Sequence, residues 1–498
     1  MALIRESDEI DILLLGEGTY PYIRGGVSSW IHQLINGMPD LKFGIIFLGS
    51  MESEYGDIRY ELPDNLVHLE THYMFSPEEK ETPKKPKDTD EFESIEELYQ
   101  WFRTGEGAMP DTMKDIHFYT EKITHKHFLH SKQSWEFITE KYRENCDDLP
   151  FIDYFWTVRN IHKPIWLLAD IVKKMPKCKV LHSPSTGYAG FLASLASYNT
   201  NTPFILTEHG IYTRERKIDM LTANWVSYQK PSLLKQVEEL NYIKRMWVRF
   251  FEQIGLFAYR RADHTLSLFA GAREIQVEFG ADREKTRVIP NGVDVDGLEQ
   301  AYLARKEGVP KVITLIGRVV SIKDIKTFIR AIRIVANEIE DIQAWVVGPL
   351  DEDELYADEC RYMVETLKLQ KNFFFKGFQN IKDILPLTGL LTLTSVSEGM
   401  PLTILEGYAA GVPCVATDVG SCRDLIYGSL NDEDVAIGKA GEITTIANPS
   451  ALAESYIKFL TDEALWRQAQ KSALDRVRRF YRQDMFLQTY RDIYEEVM

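Results

Sequence analysis

Short apolar runs alternate with amphipathic helical patterns through most of the chain, the pattern that βαβ units and parallel sheets leave in a sequence. In the first half the spacing predicts strands over 10–15, 43–48, 179–182, 204–207 and 265–268. In the second half it predicts them over 312–316, 344–347, 373–376, 390–394 and 413–416. Helical patterns follow several of these runs, at 27–34, at 325–335 and at 402–410, the last ended by Gly411. The reading is therefore an α/β chain with two doubly wound sheets.

Between about 75 and 176 the alternation breaks. The stretch EEKETPKKPKDTDEFE (78–93) is charged and proline-bearing, which predicts an exposed insertion. The rest of this region predicts a mostly helical insert in the first domain. Its aromatics, among them Trp135, Phe151, Tyr154, Trp156 and Trp166, suit either a local core or a surface that docks a partner or shapes an acceptor site. The apolar stretch 151–172 is interrupted by Asp153, Arg159, His162, Lys163 and Pro164, so no ordinary membrane-spanning helix is predicted. A hinge is expected after PNGVD (290–294), where the strand RVIP ends in turn residues.

A length of 498 residues favours two domains, and 44% hydrophobic with 27% charged residues is ordinary for a folded soluble protein. The net charge of -17 argues against a nucleic-acid partner, which needs clustered Lys and Arg. Any phosphate must then be met by a few local cations. Five cysteines without a CxxC pair suggest neither a disulfide framework nor a zinc ribbon. With an N-terminus unlike a signal peptide, the expected setting is the cytoplasm, with peripheral attachment at the inner membrane as the wider expectation.

Four places in the sequence hold residues suited to chemistry. GEGTYP (16–21) opens like a dinucleotide fingerprint, but Pro21 stands at the third glycine position, which leaves NAD poorly supported. Gly25 and Gly26 precede the helical pattern 27–34, where they form either a tight turn or bare backbone amides facing a ligand. Arg318 and Lys323 follow the strand 312–316, as solvated surface or as cations for a diphosphate. In SVSEGMPLTILEG (395–407), Glu398 lies in a loop and Glu406 one turn inside a helix whose first amides, near Met400, Pro401, Leu402 and Thr403, form an anion-favouring terminus. Capping by Glu398 and solvation of Glu406 are the plainer alternatives. Metal sites are discounted: DTD (88–90) and DVD (294–296) follow no suitable strand, and HKHFLH (125–130) lies among lysines.

The E-x7-E segment, GR-x4-K (317–323), PNGVD and RADHTLS (261–267), in that order, resemble the GT4 family of retaining GT-B glycosyltransferases. GEGTYPYIRGGVSSW, TEHGIYTRER and the long insert resemble, more narrowly, the soluble glycosyltransferases of exopolysaccharide synthesis. The resemblance implies a GT-B fold of two facing Rossmann-like domains, 1–303 with the insert 75–176 and 304–481, and a C-terminal helix 482–498 crossing back to the first. It implies that Arg318 and Lys323 bind the donor diphosphate, Glu406 the ribose and Glu398 the transferred sugar, with amides of Gly399 to Thr403 around sugar and phosphate. Gly25 and Gly26 match the family's glycine loop near the phosphates, and His209 its active-site histidine. On its own His209, a lone histidine after a strand, reads more readily as structural; only the family match raises it. Where the family often has glycine after the lysine this chain has Asp324, and Lys326 is a second candidate cation.

The expected activity is metal-independent transfer, with retention, of glucose or an N-acetylhexosamine from a UDP-sugar to a growing polysaccharide. No cofactor is expected, and a membrane-bound exopolysaccharide synthase complex is the expected partner. Two other classes stay open: a UDP-sugar 2-epimerase, and a nucleotide-sugar-binding regulatory subunit of a membrane synthase.

Overall fold

A computed structural model describes residues 2–75, 91–146, 150–222 and 242–498. The strands are β1 (Ala2–Arg5), β2 (Ile10–Glu17), β3 (Phe43–Gly49), β4 (Leu66–Tyr73), β5 (Cys178–Ser183), β6 (Phe204–Glu208), β7 (His264–Ser267), β8 (Thr286–Val288), β9 (Val312–Ile316), β10 (Gln343–Val347), β11 (Phe373–Gly377), β12 (Leu390–Leu393), β13 (Cys414–Thr417) and β14 (Gly441–Thr444). The chain divides into two compact units, Met1–Ser267 with Arg273–Val288 and Asp492–Met498, and Leu268–Ala272 with Ile289–Arg491. This division places 289–303 and 482–491 with the second unit, and only the end of the last helix with the first.

The first unit is built on a sheet of order β1-β4-β3-β2-β5-β6-β7-β8, parallel except for β1 against β4. Its helices are α1 (Gly26–Gly37), α2 (Phe92–Thr104), α3 (His125–His130), α4 (Lys132–Asn145), α5 (Phe151–Lys174), α6 (Tyr188–Thr200), α7 (Tyr212–Thr222) and α8 (Tyr242–Arg261), and α9 (Ala270–Glu278) leads into β8. The order reverses between β2 and β5, which pair at Leu13↔Leu181. Loops at the carboxyl ends of these two strands therefore border the crevice where open α/β sheets receive ligands. Helices α2–α5 form the insert. It shares one core with the sheet, in which Leu98, Phe102, Phe128 and Trp166 join Leu13 and Ile46.

Tyr154 and Trp166 are buried in that core, whereas Trp135 and Trp156 remain exposed. The stretch interrupted by Pro164 is one helix, α5, and among the described residues no helix is long and apolar enough to cross a membrane. Most of 78–93 lies outside the described residues, as does DTD.

The second unit carries an all-parallel sheet of order β11-β10-β9-β12-β13-β14. Its helices are α10 (Val295–Leu303), α11 (Ile325–Glu338), α12 (Glu354–Thr366), α13 (Ile381–Ile384), α14 (Leu402–Ala409), α15 (Cys422–Tyr427), α16 (Asp432–Ala436), α17 (Pro449–Thr461) and α18 (Glu463–Phe480), and α19 (Gln483–Val497) closes the chain. The amphipathic α11 buries Phe328, Ile329 and Ile332 against β9 and β10. Here the switch lies between β9 and β12, which pair at Thr314↔Leu391. PNGVD is tied to the chain's last turns by Val293, whose N–H donates to Tyr481 O at 2.9 Å.

Candidate functional site

The two loops leaving the second unit's switch point hold most of the residues singled out in the sequence. β9 is followed by Gly317, which passes close to Gly348: a Cβ on Gly348 would lie 2.0 Å from Gly317 O. Arg318 follows with its side chain half-exposed and paired to Glu352. A short turn, Ser321–Lys323, then ends at Asp324 in the left-handed region (φ 42°). Glycine would adopt that angle freely, and Asp is among the few residues that tolerate it. Asp324 also accepts from the Thr327 N–H at 3.2 Å and so caps α11. The departure from the family's glycine therefore has a local cause.

Lys323 Nζ lies 2.6 Å from Glu398 Oε1, and the Ser395 hydroxyl donates to the same oxygen at 2.5 Å. Lys326 points elsewhere: it pairs with Glu359 at 2.6 Å and lies 5.1 Å above the Tyr356 ring. The loop carrying Glu398 is tied to the Lys323 turn through the Thr394 hydroxyl, which donates to Lys323 O at 2.8 Å, and through Val396 N to Ile322 O at 2.9 Å. Behind it Gly420 (φ 53°) approaches so closely that a Cβ would lie 2.2 Å from Gly399 O. Glu352 was not picked out by sequence reasoning, and Ser395 and Gly420, which bound the segment 395–420 singled out there, were given no role of their own.

Helix α14 begins after Pro401 with no side-chain cap and no acid in its first turn, so the amides of Leu402 and Thr403 face outward unmatched by a side chain. Met400 is held from behind, its Sδ accepting from Asn291 N at 3.3 Å. Glu406 stands one turn inside the helix, with no hydrogen-bond or ion-pair partner among the described residues. Burial pushes its carboxyl up to about 7. Two cations, open amides and a carboxyl with a raised pKa thus share one end of one sheet.

In the first unit, Gly25 precedes α1 in an extended conformation and Gly26 begins the helix, again without a side-chain cap or an early acid. A Cβ on either would meet no atom within 4 Å, so neither crowding nor backbone angle within the unit requires these glycines. His209 follows β6 directly. Its ring meets Trp30 of α1 edge-on, with centroids 4.7 Å apart. Burial lowers its pKa to about 3, so it is neutral at ordinary pH, and its buried Nε2 has no hydrogen-bond partner among the described residues. Trp30 also meets His182 at 5.3 Å, and His182 is fixed between Tyr494 Oη at 2.7 Å and Thr207 Oγ1 at 2.9 Å. This backing layer was not foreseen, because its members are distant in sequence.

The discounted motifs have structural roles where they are described. Asp294 caps α10 through Gly297 N at 2.8 Å, and Asp296 pairs with Arg482 at 2.9 Å. HKHFLH is helix α3, with His127 Nδ1 on Thr124 Oγ1 at 2.8 Å. Among the described residues no group of His, Cys, Asp and Glu could hold a metal ion, and all five cysteines are free.

Comparison with known proteins agrees with this division. Residues 10–284 match the family model "Domain of unknown function (DUF3492)", and residues 303–476 match "Glycosyl transferases group 1". The chain is 28% identical over 137 residues to the N-acetyl-alpha-D-glucosaminyl L-malate synthase of Bacillus anthracis, covering 27% of this chain and 34% of that protein. It is 29% identical over 215 residues to the UDP-Gal:alpha-D-GlcNAc-diphosphoundecaprenol alpha-1,3-galactosyltransferase of Escherichia coli, covering 39% and 54%. The chain thus spans about half or less of the length of these relatives. In structure it is similar to Anabaena HepE crystallised with UDP, with a TM-score of 0.61 at 14% identity over 98% of this chain and 100% of that one. The fold is accordingly GT-B. The first match spans more than half of the 498 residues, and the chain belongs to the family of the domain of unknown function DUF3492, followed by a glycosyl transferases group 1 domain.

Proposed function

We infer that the protein is a retaining glycosyltransferase that moves a hexosyl unit, glucose or an N-acetylhexosamine, from a UDP-sugar to a growing exopolysaccharide. The observation that carries this reading is the group at the second unit's switch point: Arg318 and the Lys323–Glu398 pair beside the open terminus of α14, with the unpartnered Glu406 one turn further on. A nucleoside diphosphate offers such a group its diphosphate for the cations and amides and its ribose hydroxyls for Glu406. Lys323, rather than Lys326, is the phosphate lysine in this reading, because it reaches Glu398 while Lys326 is engaged with Glu359.

The roles follow from charge. As the glycosidic bond breaks, negative charge grows on the departing diphosphate, where Arg318, Lys323 and the α14 amides stabilise it. Glu398, its charge matched by Lys323, accepts hydrogen bonds from the transferred sugar. No protein nucleophile is assigned; the acceptor attacks from the leaving-group face and its proton goes to the departing phosphate. Gly25 and Gly26 give the phosphates a close approach to backbone, and neutral His209 offers the sugar a donor or acceptor without a competing charge.

The acceptor and setting rest on a narrower likeness. GEGTYPYIRGGVSSW, TEHGIYTRER and the long insert resemble PelF, the soluble glycosyltransferase of Pel exopolysaccharide synthesis, which suggests a biofilm polysaccharide, a cytoplasmic location and a membrane-bound synthase complex as partner. A panel of nucleotide sugars, assayed for binding and turnover with and without oligosaccharide acceptors, tests the reading. Release of UDP with acceptor elongation supports it; isomerised donor without acceptor would indicate a 2-epimerase, and tight binding without turnover a regulatory subunit. Excess EDTA should leave turnover intact, and activity that vanished and returned only with a divalent ion would overturn the assignment of phosphate stabilisation to side chains.

A further inference from the structure

One carboxylate outside the donor group is fully buried in the first unit and collects donors from four separate segments. Glu208, the last residue of β6, is 1% exposed. Its Oε2 accepts from Tyr259 Oη of α8 at 2.6 Å and from Gln276 Nε2 of α9 at 3.0 Å, and its Oε1 from Thr186 Oγ1 at 3.1 Å. The N–H of Tyr212, at the start of α7, also donates to this carboxylate. The next residue in the chain is His209.

Burial pushes the Glu208 carboxyl up to about 7, and a group buried this deeply is retained only when its lone pairs are met; here the partners are spread around the turn rather than along one element. Thr186 comes from the loop after β5, Tyr212 from beyond the turn, and Tyr259 and Gln276 from helices behind the sheet. The carboxylate therefore fixes both ends of the four-residue turn 208–211. Gly210, within the turn, faces the Glu215 carboxylate of α7, 2.0 Å from where a Cβ would lie. His209 has Trp30 on one side and an unpartnered Nε2. Among the described residues no hydrogen bond from the ring accounts for its orientation, so the backbone beneath it must.

We propose that Glu208 is a positioning residue that holds the β6–α7 turn so that His209 presents its imidazole to the donor sugar. This rests on the reading of His209 in the proposed function. Glu208 acts through His209 and touches neither the sugar nor the phosphates.

A double-mutant cycle tests it. With purified full-length protein, kcat and KM for UDP-sugar are measured for Glu208→Gln, His209→Ala and the double variant, with UDP binding as a measure of the intact second unit. Glu208→Gln puts an amide among donors and is expected to lower kcat about tenfold with KM for the donor little changed. In the His209→Ala background the same change should cost less than about twofold, because residues acting as one unit are not additive. Additive losses would overturn the positioning role and leave the reading of His209 standing. A silent His209→Ala would overturn both. Should Glu208→Gln fail to fold, Tyr259→Phe removes one donor and keeps the carboxylate; a loss of kcat that disappears in the His209→Ala background supports the proposal, and one that persists there overturns it.

Discussion

Glu406 and Arg318 illustrate how much a single side chain's surroundings decide. Burial holds the Glu406 carboxyl near 7, far above its ordinary value, with no neighbouring charge to counter it. Only the ionised form accepts two hydroxyls, so donor KM should fall as pH rises through 7, and Glu406→Gln should flatten that dependence while raising KM more than it lowers kcat. The stability effect has the opposite sign: the folded state holds this proton more tightly than the unfolded chain, so stability is lost as pH rises from about 4.5 to about 7, and Glu406→Gln should unfold at higher temperature than the native protein at pH 8. Arg318→Ala should instead depress kcat by roughly a hundredfold, about 3 kcal/mol, since its contribution grows as charge builds on the diphosphate. Lys323→Ala should resemble it and Lys326→Ala should not. If the two lysines exchange these effects in steady-state kinetics, the phosphate lysine lies one turn further along. The cations and glutamates were visible in the sequence because their spacing is local. Glu352, which pairs with Arg318 from the loop after β10, and Tyr259 and Gln276, which hold Glu208, were not, because only folding brings them there.

At the scale of elements, strands with continuous apolar runs were legible to within a residue or two, and β4 was not. Its sequence LVHLETHY alternates polar residues, yet His68, Glu70 and His72 are all buried, with Glu70 lying 3.8 Å and 3.5 Å from the two imidazoles. A buried polar stripe reads as a solvent face when the chain is read alone. The edge strand β1 did not register either, nor did β14, whose sequence GEIT carries no apolar run although it is as long as β12 and β13. The turn before α11 shows the converse, an unexpected residue whose fit appears only in the fold. Asp324→Ala removes a helix cap and keeps a left-handed backbone, and should cost about 1–2 kcal/mol in thermal unfolding, whereas Asp324→Gly relieves the angle as it removes the cap and should cost less. Gly420→Ala should cost more than either, because its Cβ would enter the carbonyl of Gly399 with no flexible side chain to give way. On the proposed reading, weaker UDP binding should accompany it, since the displaced loop leads into the open terminus of α14.

For the whole molecule, the consequence that can be measured is that each unit has a core of its own. Leu13, Phe102 and Trp166 belong to the first, and Ile329, Val346 and Tyr456 to the second. The second unit also holds a fully buried ion pair, Arg476 to Asp434 at 2.7 Å, with Arg476 donating to the carbonyls of Leu425, Ile426, Asp434 and Gly438 as well. Arg476→Met leaves the buried Asp434 side chain with only the N–H groups of Ser429 and Leu430 among the described residues, and breaking a buried ion pair in this way typically costs about 3–5 kcal/mol. For a unit of this size each kcal/mol shifts the midpoint by roughly 2–4 °C, so a drop on the order of 10 °C is expected in the transition belonging to the second unit. If the proposed donor site is in the second unit, UDP at a hundredfold excess over its Kd should raise the same transition by about 2.7 kcal/mol. Calorimetry of the native protein and of Arg476→Met, each with and without UDP, separates these effects. Two transitions, one of which responds to both the substitution and the nucleotide while the other responds to neither, is the expected result. A single transition would mean that the units unfold cooperatively, and a nucleotide effect confined to the transition that Arg476→Met leaves in place would move the donor site out of the second unit.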